Sequence, residues 1–151
     1  MAGRIVGPAV NALDPSQIAV PQWQRDFDAF IAVRMRTPFC WGQHDCCLFA
    51  ADAVKAQTGV DHAAPWRGTY FTELQAARLL AQLGGLAALG AMAGPECPPL
   101  TARHGDVGLV FDGVRELLGV CVGSHWLVPA TYGLAALPLA SGRQAWRTDH
   151  G

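Results

Sequence analysis

The hydrophobic positions in the first half of the chain recur at helical spacing. After Pro21, a residue that suits a helix start, apolar side chains return every three or four residues until the Thr37-Pro38 pair, which predicts a helix end. A second helix is predicted from near Asp45 to about Thr58, where a glycine follows. The predicted inward stripes are Trp23, Phe27, Phe30, Ile31 and Arg34 in the first helix, and Cys46, Phe49, Ala50, Ala53, Val54 and Gln57 in the second.

Two further helices are predicted before the pattern changes. Thr72 to Leu83 has helical spacing, and Thr72 with Gln75 three residues on forms a capping pair. The segment LGGLAALGAMAG, residues 83–94, predicts a short fourth helix. The apolar stretch that begins at Leu79 is too short and too rich in glycine to span a bilayer, so no membrane insertion is expected.

The last third of the chain has the periodicity of strands. Short apolar or alternating runs are separated by glycine, proline and charge, which predicts four or so antiparallel strands. These runs are GDVGLVFDG (105–113), LLGVCVGSHWLVPA (117–130), GLAALPL (133–139) and QAWRT (144–148). Helices followed by strands predict a single α+β domain, with N-terminal helices packed on a C-terminal antiparallel sheet.

Composition adds information about partners. The 151 residues suit one domain, predicted over 21–151. Only 15% of the residues are charged, against roughly 25% in typical domains. An alanine- and glycine-rich composition explains this, and so does a surface covered by other subunits; both explanations stay open. The net charge of −1 provides no basic field, so no nucleic-acid partner is expected.

Residues 1–20 predict an extended N-terminal arm. They contain Pro8 and Pro15, show no helical period, and are apolar rather than charged. Such a segment is expected to lie along a neighbouring surface, because termini that are not tied down fray. The arm lacks the charged start and unbroken apolar run of a signal peptide. Five cysteines without regular spacing are consistent with synthesis in a reducing cytoplasm.

Cys46 is the strongest candidate for chemistry. Asp45 is a natural helix N-cap, so Cys46 falls at the first helical position, where the helix dipole lowers the pKa of a thiol. Its neighbour Cys47 lies about 100° round the helix and is expected to face into packing instead.

Four short motifs resemble the NlpC-type papain-like cell-wall cysteine peptidases, and cover Phe39 to about Leu139. In order along the chain they are Trp41-Gly42, Asp45-Cys46, Gly105-Asp106 and the small apolar strand Gly119-Val120-Cys121-Val122-Gly123. More narrowly, the chain is similar to the small members carried in tail gene clusters of long-tailed bacteriophages and prophages. The resemblance implies a papain-like fold with Cys46 at the nucleophile position.

Both histidine positions of that family are substituted. Active members have a histidine two positions before the glycine matched to Gly119, and this chain has Leu117 there. A second polar residue on the next strand orients the first, and Val128 is the best match to it. Leucine cannot accept a proton from a thiol or pass one to a leaving amine. Ordinary peptidase turnover is therefore not expected.

Other histidines are weaker candidates for a base. His44 lies two residues before Cys46, in a loop that could bring it over the thiol. His125 lies about 25 Å along a strand from Leu117 unless a hairpin folds back. His104 is expected to be a solvated turn residue, and His62 and His150 have no supporting context.

A metal site is not expected. Cys40, His44, Cys46 and Cys47 fall within eight residues, and Cys97 could join them. No Cys-x-x-Cys pair occurs, however, and adjacent cysteines diverge on a helix, so neither structural zinc nor an iron–sulfur cluster fits the spacing. No cofactor is predicted.

Three functions follow from the sequence. The favoured one is a structural component of a bacteriophage tail tip or baseplate hub, located in the virion and assembled in the bacterial host cytoplasm. Its partners would be other tail proteins (hub, distal tail or central fibre components), bound through the arm and the low-charge surfaces. The alternative is an active tail-associated peptidoglycan endopeptidase that uses Cys46. An unrelated cytoplasmic cysteine hydrolase is the weakest alternative.

Overall fold

A computed structural model describes residues 19–150 as four N-terminal α-helices followed by an antiparallel sheet. The predicted arm over residues 1–20 lies outside the described residues apart from its last two. The helices are α1 (Gln22–Arg34), α2 (Cys46–Thr58), α3 (Glu73–Gln82) and α4 (Leu86–Gly90). The predicted α+β class and the order of helices before strands are confirmed.

The predicted capping residues explain where α2 and α3 begin and end. The Asp45 side chain accepts a hydrogen bond of 3.0 Å from the Leu48 N–H, so α2 begins at Cys46. Gly59 ends α2 in the left-handed conformation, at φ +81°. The Thr72 hydroxyl accepts a hydrogen bond of 3.2 Å from the Gln75 N–H. The starts of both helices are therefore local consequences of the sequence.

The sheet has six strands in the spatial order β1-β6-β2-β3-β4-β5. They are β1 (Glu96–Cys97), β2 (Val107–Phe111), β3 (Glu116–Cys121), β4 (His125–Ala130), β5 (Gly133–Pro138) and β6 (Gly142–Trp146). The predicted run 117–130 is two strands, because the chain reverses at residues 122–124. There the Val122 N–H donates to the His125 carbonyl over 2.9 Å, and Gly123 has φ +93°. A two-residue strand such as β1 is too short to show a period in sequence.

Helix α2 packs across one face of the sheet, and short connecting segments cover the other. Two clusters fill the helix side: Ala50, Val54, Val107, Leu109, Leu118 and Trp146, and next to them Phe27, Phe49, Ala53, Val120 and Leu127. A third cluster fills the opposite side, and includes Cys97, Val110, Cys121, Trp126, Val128 and Ala145. Alternate residues of β3 and β4 therefore enter different layers.

The Gly105-Asp106 pair ties the end of α2 to the start of β2 and to the C-terminal segment. The buried Asp106 carboxylate accepts hydrogen bonds from the Arg103 N–H (2.8 Å), the Thr148 N–H (3.2 Å) and the Arg147 guanidinium (3.0 Å). The Gly105 carbonyl accepts from the Gln57 amide over 2.9 Å. This motif therefore has a structural role here.

No single helix within 19–150 is long and apolar enough to cross a membrane. Helix α3 and the segment 86–93 are long and apolar enough for a membrane span only when they are counted together. The two pieces are bent by 72° from each other.

Candidate functional site

Cys46 lies at the N-terminus of α2, in the wall of a cavity of about 200 Å³. Helices α3 and α4 form an apolar wall of this cavity, the loop before α2 contributes Phe39 and Trp41, and strands β3 and β4 contribute residues near their ends. The charged residues Glu73, Arg115 and Glu116 also line it, and their exposure places them at its mouth. We call this space the Cys46 cavity.

The loop before α2 is held in place by Asp45 and Tyr70. The buried Asp45 carboxylate accepts the Gly42 N–H over 2.9 Å and the Tyr70 hydroxyl over 2.5 Å, in addition to its capping bond. Gly42 has φ +83°, and a Cβ at this position would lie 2.1 Å from the Tyr70 carbonyl oxygen. Burial and the Asp45 carboxylate raise the pKa of Tyr70, so its hydroxyl remains a donor. Trp41-Gly42 and Asp45 thus build the support of the site.

Cys47 also lines the Cys46 cavity, which corrects the prediction that it faces only into packing. It does pack against the cluster of Leu48, Trp66 and Tyr70, but it also borders the cavity beside Cys46. Neighbouring helical side chains diverge by about 100°, yet at the first turn both point toward the space left between α2 and α3. The site therefore contains two adjacent thiols.

The surroundings favour a thiolate on Cys46. The hydrogen bond from the Cys47 thiol is the largest influence, and it lowers the pKa of Cys46. The Leu118 backbone N–H and the Arg115 guanidinium act in the same direction, while burial and the Asp45 carboxylate oppose them. The same hydrogen bond, together with burial, raises the pKa of Cys47. Of the two thiols, Cys46 is therefore the one whose thiolate is favoured, and Cys47 the one that keeps its proton.

Leu117 and Pro129 line the part of the Cys46 cavity where the resemblance to cysteine peptidases implies histidine side chains. Leu117 borders the cavity at the start of β3, but it packs against the cluster on the far face of the sheet, whereas its neighbour Leu118 packs on the α2 side. Val128, the predicted match for the second position, is buried on the opposite face of the sheet with Val110 and Trp126. Side chains alternate along β4, so its neighbour Pro129 reaches the cavity instead. Neither Leu117 nor Pro129 can move a proton.

His44 is close to Cys46 in sequence but does not line the Cys46 cavity. It is buried, with its ring edge-on to Phe49, and its Nδ1 lies 2.8 Å from the Arg34 guanidinium. Because a guanidinium can only donate, Nδ1 accepts and the proton of the neutral ring sits on Nε2. Burial, followed by the charge of Arg34, lowers the pKa of His44. The predicted base is thus a structural histidine.

The remaining histidines lie elsewhere. The reversal at residues 122–124 places His125 on β4, but at the opposite end of that strand from Pro129, exposed and 2.9 Å from the Ser124 hydroxyl. His104 is partly buried, not a free turn residue, because its Nε2 lies 2.7 Å from the Asp28 carboxylate. His150 stacks on Trp23 and bonds Gln57, and His62 lines a second, smaller cavity. Among residues 19–150, no histidine lines the Cys46 cavity.

The four cysteines and the histidine that were considered as metal ligands do not converge on one point. Cys40 is exposed, and Cys97 is buried in β1 on the far face of the sheet. Across the described part of the chain, no group of three or more histidine, cysteine or acidic side chains is arranged to hold a metal ion.

Comparison with known families adds one match. Residues 19–148 match the family described as Domain of unknown function (DUF6950). The chain belongs to this family. The match includes every element of the Cys46 cavity, so the cavity belongs to the DUF6950 domain. No curated protein matches the sequence.

Four polar residues of the DUF6950 site were missed by sequence reasoning. Tyr70 supports Asp45 from a loop 25 residues later, and Glu73, Arg115 and Glu116 lie at the cavity mouth. The loop that carries Tyr70 has no period, and Arg115 and Glu116 lie where the turn-like segment DGVRE enters β3. Only the chain fold brings these residues to Cys46.

Proposed function

We propose that this DUF6950 chain is a structural component of a bacteriophage tail tip or baseplate hub, built on a papain-like domain that lacks peptidase activity. The observation that carries the loss of activity is the lining of the Cys46 cavity. Amide cleavage by a thiol needs a base for the thiol and an acid for the leaving amine, and an imidazole usually supplies both. Leu117 and Pro129 can do neither, and the other wall residues include no histidine within 19–150.

The papain-like assignment is supported by the order of the motifs and by their placement. A cysteine at the first position of a helix that packs on an antiparallel sheet, with the strand of Leu117 facing the same cavity, is the arrangement that the resemblance implies. The Gly-Asp pair opens β2, as that pattern also implies.

The assembly role is supported by the surface and by the resemblance to tail-cluster members. Several large apolar side chains are well exposed on the isolated domain, and two of them are close in sequence at the beginning of α3. The exposed residues include Val33, Phe71, Leu74, Leu100, Val114 and Tyr132. Phe71, just before the cap of α3, and Leu74, in its first turn, are exposed by 65% and 59%, and exposed apolar surface of this kind is suited to protein contact. The low charge fraction of 15% agrees with a surface covered by other subunits.

A second function, an active peptidoglycan peptidase, is favoured by one observation only. The Cys47 thiol, the Leu118 N–H and Arg115 lower the pKa of Cys46, which is what a nucleophile needs. A nucleophile without a proton donor for the leaving amine would acylate slowly or not at all.

The two functions separate in one pair of measurements on the phage or prophage that carries the gene. We expect the purified full chain to release no more peptide from cell-wall sacculi than its Cys46→Ala variant, and particles with Cys46→Ala to assemble and infect normally. Cys46-dependent release of peptides would refute the loss of activity and support the peptidase instead.

The assembly role is tested by the apolar surface of α3. The double change Phe71→Ser with Leu74→Ser should leave the domain folded and reduce its incorporation into particles. Arg78→Ser, also exposed on α3, is the matched control. Equal incorporation of both variants, together with normal incorporation after deletion of residues 1–20, would count against the tail role.

A further inference from the structure

The proposed structural role leaves the Cys46 cavity without an occupant, although its walls are suited to an apolar group. The wall formed by α3 and α4 presents five leucines and two alanines. They are Leu79, Leu80, Leu83, Leu86, Leu89, Ala76 and Ala77. Apolar walls of this kind gain free energy when an apolar group of matching size covers them.

The size of the cavity sets a scale for that group. Its volume is about 200 Å³. An apolar cavity of about 150 Å³ holds a benzene ring. The Cys46 cavity therefore has room for roughly eight non-hydrogen atoms, the size of a short aliphatic chain. Helix α3, which forms one wall, has no buried residue, so entry of a ligand does not require a core element to move.

Two adjacent thiols in the same wall add chemistry to this apolar space. Cys46 is the nucleophile, Cys47 its hydrogen-bond donor, and the exposed Arg115 lies at the mouth. The Arg115 guanidinium makes no hydrogen bond or ion pair with any other residue in the range 19–150. It is thus available to stabilise negative charge that develops beside Cys46.

The missing imidazole limits which reactions this thiolate can perform. Amide cleavage requires a proton for the leaving amine, whereas thiol–disulfide exchange expels a thiolate that needs none. The site therefore has what disulfide exchange requires: a nucleophilic thiolate and an apolar space for a substituent.

We propose that the Cys46 cavity binds low-molecular-weight disulfides that carry a short aliphatic group, and that Cys46 exchanges with them to form a mixed disulfide. The Cys46 sulfur attacks one sulfur of the ligand, a new sulfur–sulfur bond forms, and the ligand's own sulfur–sulfur bond breaks. The departing half leaves as a thiolate, and the aliphatic half stays in the cavity. A second low-molecular-weight thiol reverses the step. This proposal does not rest on the proposed tail role.

The test uses methyl and butyl pyridyl disulfides, which release a coloured thiopyridone on exchange. With the full chain at neutral pH, the rate constant at Cys46 should rise at least about tenfold from methyl to butyl, because three more methylene groups enter the cavity. Mass mapping assigns the modified cysteine, and the exposed Cys40 is an internal control that should show no such rise. An equal rate for both reagents at Cys46 would overturn the proposal.

A matched pair of variants on α3 separates the cavity from general reactivity. Ala77→Trp fills the cavity mouth and should remove the preference for butyl, whereas Ala81→Trp, exposed on the same helix but outside the cavity wall, should keep it. Circular dichroism shows whether each variant is folded. If Ala77→Trp is folded and keeps the preference, the cavity is not the binding site. Hydrolysis of cell-wall sacculi in the earlier test would refute the loss of peptidase activity and leave this result unaffected.

Discussion

Leu117 of β3 lies in the wall of the same cavity as Cys46 of α2, although the two residues are 71 positions apart in sequence. Leu117 nevertheless packs with the cluster on the far face of the sheet that contains Val128, and its neighbour Leu118 packs on the α2 side with Cys46. The Cys46 thiol, whose pKa is lowered, therefore lies in a cavity that no histidine of residues 19–150 lines.

Replacing Cys47 should show whether it controls the reactivity of Cys46. In Cys47→Ala the hydrogen bond that most lowers the pKa of Cys46 is lost, so that pKa should rise. Each unit of rise reduces the thiolate fraction at neutral pH by about tenfold. Cys47→Ser keeps a donor at the same place and should react more nearly like the wild type. The measurement is the pH dependence of iodoacetamide alkylation, with Cys46 identified by mass mapping; identical profiles for the two variants would disprove this role of Cys47.

Gly42 should be among the least replaceable residues of the site. Gly42→Ala combines the left-handed backbone, at φ +83°, with a Cβ placed 2.1 Å from the Tyr70 carbonyl oxygen. Strain and overpacking together should cost at least about 3 kcal/mol of the free energy of unfolding. Gly68→Ala is a close control, because Gly68 has φ +80° but no atom within 4 Å of the added Cβ. It should cost only about 1 kcal/mol in urea unfolding. If Gly42→Ala and Gly68→Ala lose the same free energy of unfolding, the loop that carries Gly42 moves away from Tyr70 without an energetic cost.

Asp106 should prove structural and not catalytic. Asp106→Ala removes a buried carboxylate that accepts from Arg103, Arg147 and Thr148, so the free energy of unfolding should fall by about 3 kcal/mol. Asp26→Ala removes an exposed carboxylate of α1 that accepts from Gln22 and should cost about 0.5 kcal/mol or less. Urea unfolding measures both. A loss for Asp106→Ala no larger than for Asp26→Ala would contradict the role of the Gly-Asp pair described above.

His44 should make the domain less stable in mild acid. Burial and Arg34 hold its folded-state pKa below the value of 6.5 for a free histidine. Below that pH the unfolded chain binds a proton that the folded chain excludes, so the free energy of unfolding falls as the pH decreases from about 7 toward 5. His44→Asn keeps an acceptor for Arg34 and cannot be protonated, so it should flatten this decline. Urea unfolding at several pH values tests it, and an unchanged slope in His44→Asn would assign the decline to other groups.

Several parts of the fold could be predicted from sequence because their causes are local. Asp45 and Thr72 cap helices through bonds to residues three positions away, and Gly59 ends α2 through its own backbone freedom. The placement of Cys46 at the first turn follows directly from Asp45. The change of period after residue 94 was sufficient to predict a sheet.

Other features could not be predicted, because they depend on where the chain turns and pairs. The reversal at residues 122–124 lies inside one continuous apolar run, and without it His125 cannot be placed. The face of β4 that reaches the cavity is settled by pairing with its neighbours, and a shift of one residue exchanges Val128 for Pro129.

The sequence alone determined the helices, the caps of α2 and α3, the α+β order and the place of Cys46 at the first turn of α2, because hydrophobic periodicity and side chain-to-backbone hydrogen bonds act over a few residues. Only the tertiary structure decided the chemistry around Cys46. It brought Tyr70, Arg115 and Leu117 to Cys46, turned Cys47 into the same cavity, and held His44 away from it against Arg34. These relationships join residues far apart in the chain, and packing between layers, rather than local spacing, establishes them.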